Sequence, residues 1–271
     1  MEELLRQLSR QLSARRFGKF RGFVIDNADP EKRGRLKVRV PSVLGTQESD
    51  WALPCLPFGG LADQGLFLVP EVDAQVWVEF EEGDISRPIW CGTFWQASGD
   101  PPEEAAAPDA PTTRVLKTVS GHTLQFDDES GCEKFRLFHP AGAEISIDEN
   151  GTVVMTDAAG STLTLDAAAG KSVLQDSNNN TLTMDASGTL LEDASGNQVE
   201  LAAAGITVRG QMITVEGTMV ALGGSGGEPL IKGSTFLTLF ATHIHPTGMG
   251  PSGPPIPQGE MSALSAKVTS A

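Results

Sequence analysis

Apolar and polar residues alternate strictly in several separate stretches of this chain. RLKVRVP (35–41) sets Leu36, Val38 and Val40 against Arg35, Lys37 and Arg39, and AQVWVEFEEGD (74–84) sets Val76, Val78 and Phe80 against Trp77 and Glu79. A period of two is the mark of a strand with one buried face. KFRGFVID (19–26) alternates large residues, and NADPEKRG (27–34) is a turn built from Asn, Asp, Pro and Gly. WALPCLPF, a Gly-rich loop, GLFLVP and RPIWCGTFW complete a stretch, 17–98, that predicts five or so short strands closed into a small all-β barrel. Before it, EELLRQLSRQLSARR (2–16) puts Leu4, Leu5, Leu8 and Leu12 on one stripe, with acids leading and arginines closing, so 1–16 predicts an N-terminal helix. Its stripe suits either packing on its own domain or docking on a partner or neighbouring subunit. The Pro/Ala-rich residues 99–113 carry no apolar period and read as a linker.

The alternation returns at 114–235 with a repeat. AEISIDENG (143–151), VVMTDAAG (153–160), TLTLDAAAG (162–170) and TLTMDASG (181–188) each pair a short strand pattern with a polar turn. Asp148, Asp157, Asp166, Asp176, Asp185 and Asp193 mark successive corners. Asp caps a turn with its side chain, and Gly permits the backbone such a turn needs. Calcium-binding nonapeptide repeats require paired glycines that are missing here. Disorder does not account for Leu163/Leu165 and Leu182/Met184 at alternate positions. A single strip of such strands buries one face at most, so the repeat predicts several identical chains around a narrow aliphatic core. Three chains would also remove the open sheet edges. The fold class expected is all-β: a barrel followed by an intertwined trimeric shaft.

Composition sharpens this division. The four Trp all fall between Trp51 and Trp95, whereas Pro140 to Thr235 holds no Phe, Trp or Tyr. Residues 1–39 carry eleven Lys/Arg against five Asp/Glu, while 140–230 carry only Lys171 and Arg209 against twelve acids. The overall charge of −15 disfavours nonspecific nucleic-acid binding, which depends on neutralising phosphates. No run approaches the ~18 apolar residues of a membrane span, and no apolar secretory stretch opens the chain. Cys55, Cys91 and Cys132 form no CxxC pair, and reduced, buried thiols are expected.

His243 and His245, in ATHIHPTGMG, are the candidate chemistry. On an extended strand, residues two apart face the same way, so both imidazoles would project together. Three copies would bring six imidazole nitrogens to one axis. That donor set suits iron, with nickel or zinc fitting less well, and a saturated site would staple chains without catalysing. His122 and His139 read as surface or packing residues.

FGKFRGFVIDNADPEKRGRLKVRVPSVLG, DWALPCLPFGG and VWVEFEEGDISRPIWCGTFW together resemble the OB-fold domain of the phage baseplate assembly protein V family, the central spike of contractile tails. The same domain occurs in the T-even phage spike and in VgrG of type VI secretion. The acidic repeats resemble that family's triple-stranded β-helix, or β-prism, and THIHP resembles its iron-binding tip. The resemblance implies an OB fold at 17–98, a shaft at 114–235, a tip at 236–250 and a Pro/Gly-rich tail at 251–271 beyond it. It implies a homotrimer, one iron ion per trimer held by His243 and His245, and no enzymatic activity. The partners implied are a separate baseplate hub protein, the tail tube and the target cell envelope. The expected location is a virion tail baseplate or an assembled injection particle, made in the bacterial cytoplasm. Two other readings stay open: a tailspike-like depolymerase using paired carboxylates, and an OB-fold nucleic-acid binder using the 35–39 face.

Overall fold

The computed structural model describes residues 15–106, 111–220, 231 and 233–256. The N-terminal helix expected at 1–16 lies almost wholly outside the described residues, as does most of the tail at 251–271. The chain divides into two units, Met1–Val208 and Arg209–Ala271.

The first unit opens with a five-stranded sheet of order β2-β1-β4-β5-β3. Its strands are β1 (Phe20–Asp26), β2 (Lys37–Arg39), β3 (Leu53–Pro54), β4 (Gln75–Phe80) and β5 (Pro88–Thr93). A four-residue helix, α1 (Pro41–Leu44), starts at the proline that ends β2, as a residue with fixed φ and no N–H allows. The sheet curls around Val24, Leu36, Val38, Val40, Ala52, Val76, Val78, Phe80 and Trp90, all buried. Six of these, Leu36, Val38, Val40, Val76, Val78 and Phe80, are residues that the alternation set on a common face. Gly22 sits among them because any Cβ there would meet Val78 Cγ2 at 2.7 Å.

Polar groups tie the loops to this core. Trp90 Nε1 donates to the Gly34 carbonyl at 3.0 Å, and the Val38 N–H donates to Ser49 Oγ at 3.0 Å. Asp29 organises the turn before β2, accepting the N–H groups of Glu31 and Arg33 and the Arg35 guanidinium at 2.6 Å. That guanidinium holds the Asp29 carboxyl far below its usual range.

Two expectations fail at this level. GLFLVP forms no strand; its apolar run does not alternate, and Leu66, Phe67 and Leu68 are exposed in a loop that the Leu66 N–H closes on Phe58 O at 3.2 Å. The cysteines are free as expected but not buried: Cys55 and Cys132 are exposed and Cys91 is half-buried, because each falls in a loop or on an outward strand position.

Within the expected linker, α2 (Glu103–Ala106) forms one turn, held by Lys117 Nζ on Glu104 at 2.8 Å. An eleven-stranded antiparallel sheet follows, every strand paired with its neighbours in sequence. It runs through β6 (Thr113–Lys117), β7 (Thr123–Asp127), β8 (Lys134–Phe138), β9 (Glu144–Ile147), β10 (Val153–Thr156), β11 (Thr162–Asp166), β12 (Lys171–Gln175), β13 (Thr181–Asp185), β14 (Gly188–Glu192), β15 (Gln198–Ala202) and β16 (Gly205–Arg209). Barrel and long sheet together give the all-β class of an OB fold followed by a β-prism strip.

The corners of the long sheet repeat one device. Asp157 Oδ1 accepts the N–H groups of Ala159 and Ser161, both at 2.8 Å, while the backbone closes with Gly160 N–H on Asp157 O at 3.1 Å. Asp148, Asp176 and Asp193 do the same two and four residues on. One corner is tighter: a Cβ on Gly188 would lie 2.0 Å from Leu201 O, so only glycine fits beside β15.

In the second unit, α3 (Gly233–Thr242) precedes a two-stranded hairpin of β17 (Pro246–Thr247) and β18 (Gly250–Pro251). Within the span that the sequence assigned to the shaft, MITVEG (212–217) forms no strand and 233–235 open this helix.

Candidate assembly surfaces and histidine pair

Register in the long sheet determines which side chains share a face. Leu116, Leu124, Leu137, Ile145, Met155, Leu163, Leu174, Leu182, Leu191 and Val199 fall opposite one another in successive pairs and form one row. A second row on that face contains Phe126, Phe135, Ile147, Val153, Leu165, Met184 and Leu201, interrupted by Ser172 and Thr189. The central row of the other face is mixed, reading Val115, Gln125, Arg136, Ser146, Val154, Thr164, Val173, Thr183, Leu190 and Glu200. Alternate members of the aliphatic rows are 37–52% exposed. An exposed, largely apolar face of this extent marks an interaction surface. A groove of about 570 Å³ on it, lined by Leu137, Ile145, Met155, Leu163 and Leu174 with His122 and His139 at its margin, is part of the same face.

His122 and His139 stack edge to face at 4.7 Å, a meeting that sequence reasoning missed. The signal was positional: each ring stands in a turn flanking β7 or β8. His139 Nδ1 accepts the Ala141 N–H at 3.1 Å, which leaves the proton on Nε2 of the neutral ring.

The turn carboxylates are held in their charged form. Hydrogen bonds from Ser161 lower the pKa of Asp157, and those from Asn180, Ser187 and Asn197 lower Asp176, Asp185 and Asp193.

His243 does not lie on a strand. Its N–H donates to Leu239 O at 3.1 Å, so it continues the end of α3, and His245 sits immediately before β17. The strand pattern failed here because FLTLF carries helical as well as alternating spacing. The two rings nevertheless meet edge to face at 5.0 Å. His243 Nδ1 contacts the Phe240 carbonyl, which fixes its proton there and leaves the Nε2 lone pair available to a metal. The Ser252 Oγ accepts the His245 N–H at 2.8 Å and anchors the second ring's backbone. Among the described residues no cluster of three or more metal-ligating side chains exists in one chain. The two rings are a partial donor set, short of the four ligands of a closed structural site.

On the barrel, the outward positions of β1, β2 and β4 interleave cations with rings. Arg39 lies 5.3 Å over Phe23, Arg21 lies 5.4 Å over Phe94, and Lys37 and Arg35 lie 5.5 and 5.7 Å from Trp51. The sequence showed the cationic half of this face; the aromatic half comes from other strands and loops.

Residues 20–95, the barrel, match the family model described as the type VI secretion system/phage-baseplate injector OB domain. The barrel is similar to an injector OB domain. The chain is 29% identical over 116 residues to the actin cross-linking toxin VgrG1 of Vibrio cholerae, covering 40% of this chain and 10% of that protein. It is also 29% identical over 131 residues to the type VI secretion system spike protein VgrG3 of Vibrio cholerae, covering 45% of this chain and 13% of that protein. The chain therefore spans only about a tenth of the length of these curated relatives. Among the described residues, no helix is long and apolar enough to cross a membrane.

Proposed function

We propose that this chain is the central spike of a contractile tail or injection-system baseplate, a homotrimer that plugs the tail tube and pierces the target envelope when the sheath contracts. The observation that carries this reading is the aliphatic face of the long sheet. Its backbone hydrogen bonds are made to consecutive strands, so the sheet edges need no partner along the shaft, while the face needs one along its whole length. Three such strips with their aliphatic faces turned inward make a prism with a dry core and a polar exterior. The injector OB domain at 20–95 supports the setting.

A structural role is also supported by the state of the carboxylates. A glycosidase needs one carboxylic acid with a raised pKa. The repeat Asp residues with shifted pKa values are all lowered, and their oxygens hold turn amides.

At the C-terminal end, three copies of His243 and His245 would supply six imidazole nitrogens. Iron held by them would lock the chains mechanically, and a saturated octahedral site leaves no position for a substrate. The barrel and the segment preceding it would attach to a separate hub protein.

The spike reading is tested in assembled particles carrying L163D/L174D, which places two carboxylates on the inward face. Electron microscopy should show particles without an axial spike. An unchanged spike in particles shown to contain the variant would overturn the proposal.

A further inference from the structure

The outward face of the barrel has a charge state that the rest of the chain does not explain. Acids outnumber bases 35 to 20, and neighbouring cations have found them: Lys19 pairs with Glu79 at 2.8 Å, Arg35 with Asp29 at 2.6 Å and Arg87 with Glu81 at 2.7 Å. Arg21, Lys37 and Arg39 have no carboxylate partner within ion-pair distance among the described residues. Each is instead held over an aromatic ring. Phe23 lies opposite Arg39, and Arg21 opposite Trp77, in adjacent strands, so the three cations stand on one continuous face of β2-β1-β4.

Seating a cation on a ring orients it at modest cost while leaving its outer side available for an anion. Fixing three long side chains this way removes conformational entropy that a binding partner would otherwise have to overcome. The same geometry argues about which anion. OB-fold binding of single-stranded nucleic acid requires open ring faces for base stacking. Here Phe23 is covered by Arg39, Trp51 is approached by both Arg35 and Lys37, and Phe94 lies between Arg21 and the Trp77 ring 4.7 Å away. An acidic shaft in the same chain also repels a long polyanion, whereas local carboxylates on a protein surface meet only the patch.

We infer that the Arg21/Lys37/Arg39 face of the barrel is a docking surface for a carboxylate-rich face of a partner protein. The inference rests on the spike reading and identifies the chemistry by which the barrel takes its hub.

The test uses the full chain and a fluorescein-labelled deca-glutamate peptide, read by anisotropy at low and at physiological salt, with labelled oligo-dT as the second probe. The wild type should bind deca-glutamate, and R21Q/K37Q/R39Q should weaken binding by ~10-fold or more. A control with three ion-paired or shaft cations removed, R33Q/R87Q/R114Q, should stay within ~2-fold of wild type, since those charges lie off this face. The single variants R21Q and R39Q, each expected to weaken binding by ~3-fold, carry the test if the triple variant does not fold. Equal loss in the control overturns the inference, as does unchanged binding in the face variants. Oligo-dT binding tighter than deca-glutamate, and lost in the same variants, assigns the face to nucleic acid and also overturns it. Light scattering on the same samples separates the two readings: a monomeric wild type sinks the spike, whereas a trimer indifferent to the three cations sinks only this surface.

Discussion

At the corners from Asp148 to Asp193 a single carboxylate ties the turn by accepting its amides. Asp157, Asp176, Asp185 and Asp193 all lie below their ordinary pKa because amides or hydroxyls bond the charged form. A group whose folded pKa lies below its unfolded value, near 3.9 for Asp, favours the folded chain at every pH above that value. The contribution is lost as pH falls through the folded pKa. The melting temperature should therefore hold from neutral pH to about 5 and decline below about 4. Replacing Asp157 and Asp193 with Asn should lower the melting temperature at neutral pH by a few degrees and flatten the acid decline. Differential scanning calorimetry across this pH range checks it, and an acid limb unchanged in the double variant would contradict the assignment. The histidines belong to this scale too. H243A/H245A should abolish bound metal in elemental analysis while leaving the chain's mass in solution unchanged; metal retained by the variant would remove these residues as ligands.

At the scale of elements, the barrel and the shaft are stabilised by opposite means. The barrel closes on its own core, in which Leu36 is fully buried beside Val24, Val38 and Val76. L36A should cost the barrel about 2–5 kcal/mol, since the cavity cannot collapse inside a curled sheet. All four Trp lie in this domain, so urea unfolding followed by Trp fluorescence reports on it selectively, and a loss well under that range would mean the site relaxes. The shaft closes on nothing within one chain. This contrast was legible in the sequence where alternation was strict: Leu36, Val38, Val40, Val76, Val78 and Phe80 lie inward as read, and the Asp corners fall where spacing put them. It was not legible where two periods coexist. FLTLF satisfies both helix and strand, and the chain takes the helix, which moves His243 off an extended backbone while bringing its ring to His245 by another route. Long-range partners were invisible for a different reason. Phe23, Trp51 and Phe94 reach the cations across strands, and His122 reaches His139 across a hairpin, so no local spacing encodes either meeting.

For the whole molecule, the acidic charge and the aliphatic repeat are two sides of one strip. Charge is concentrated at turns and on the mixed face, and the apolar row from Leu116 to Val199 runs without a break through ten strands. An isolated chain would leave that face in water, a condition that drives association whatever the partner. Three-fold closure would satisfy it with one kind of chain. The most direct test is the absolute mass of the purified wild-type chain by size-exclusion light scattering at several concentrations. The account predicts three times 28.6 kDa, independent of dilution. A monomer, or a dimer that dissociates on dilution, would contradict it.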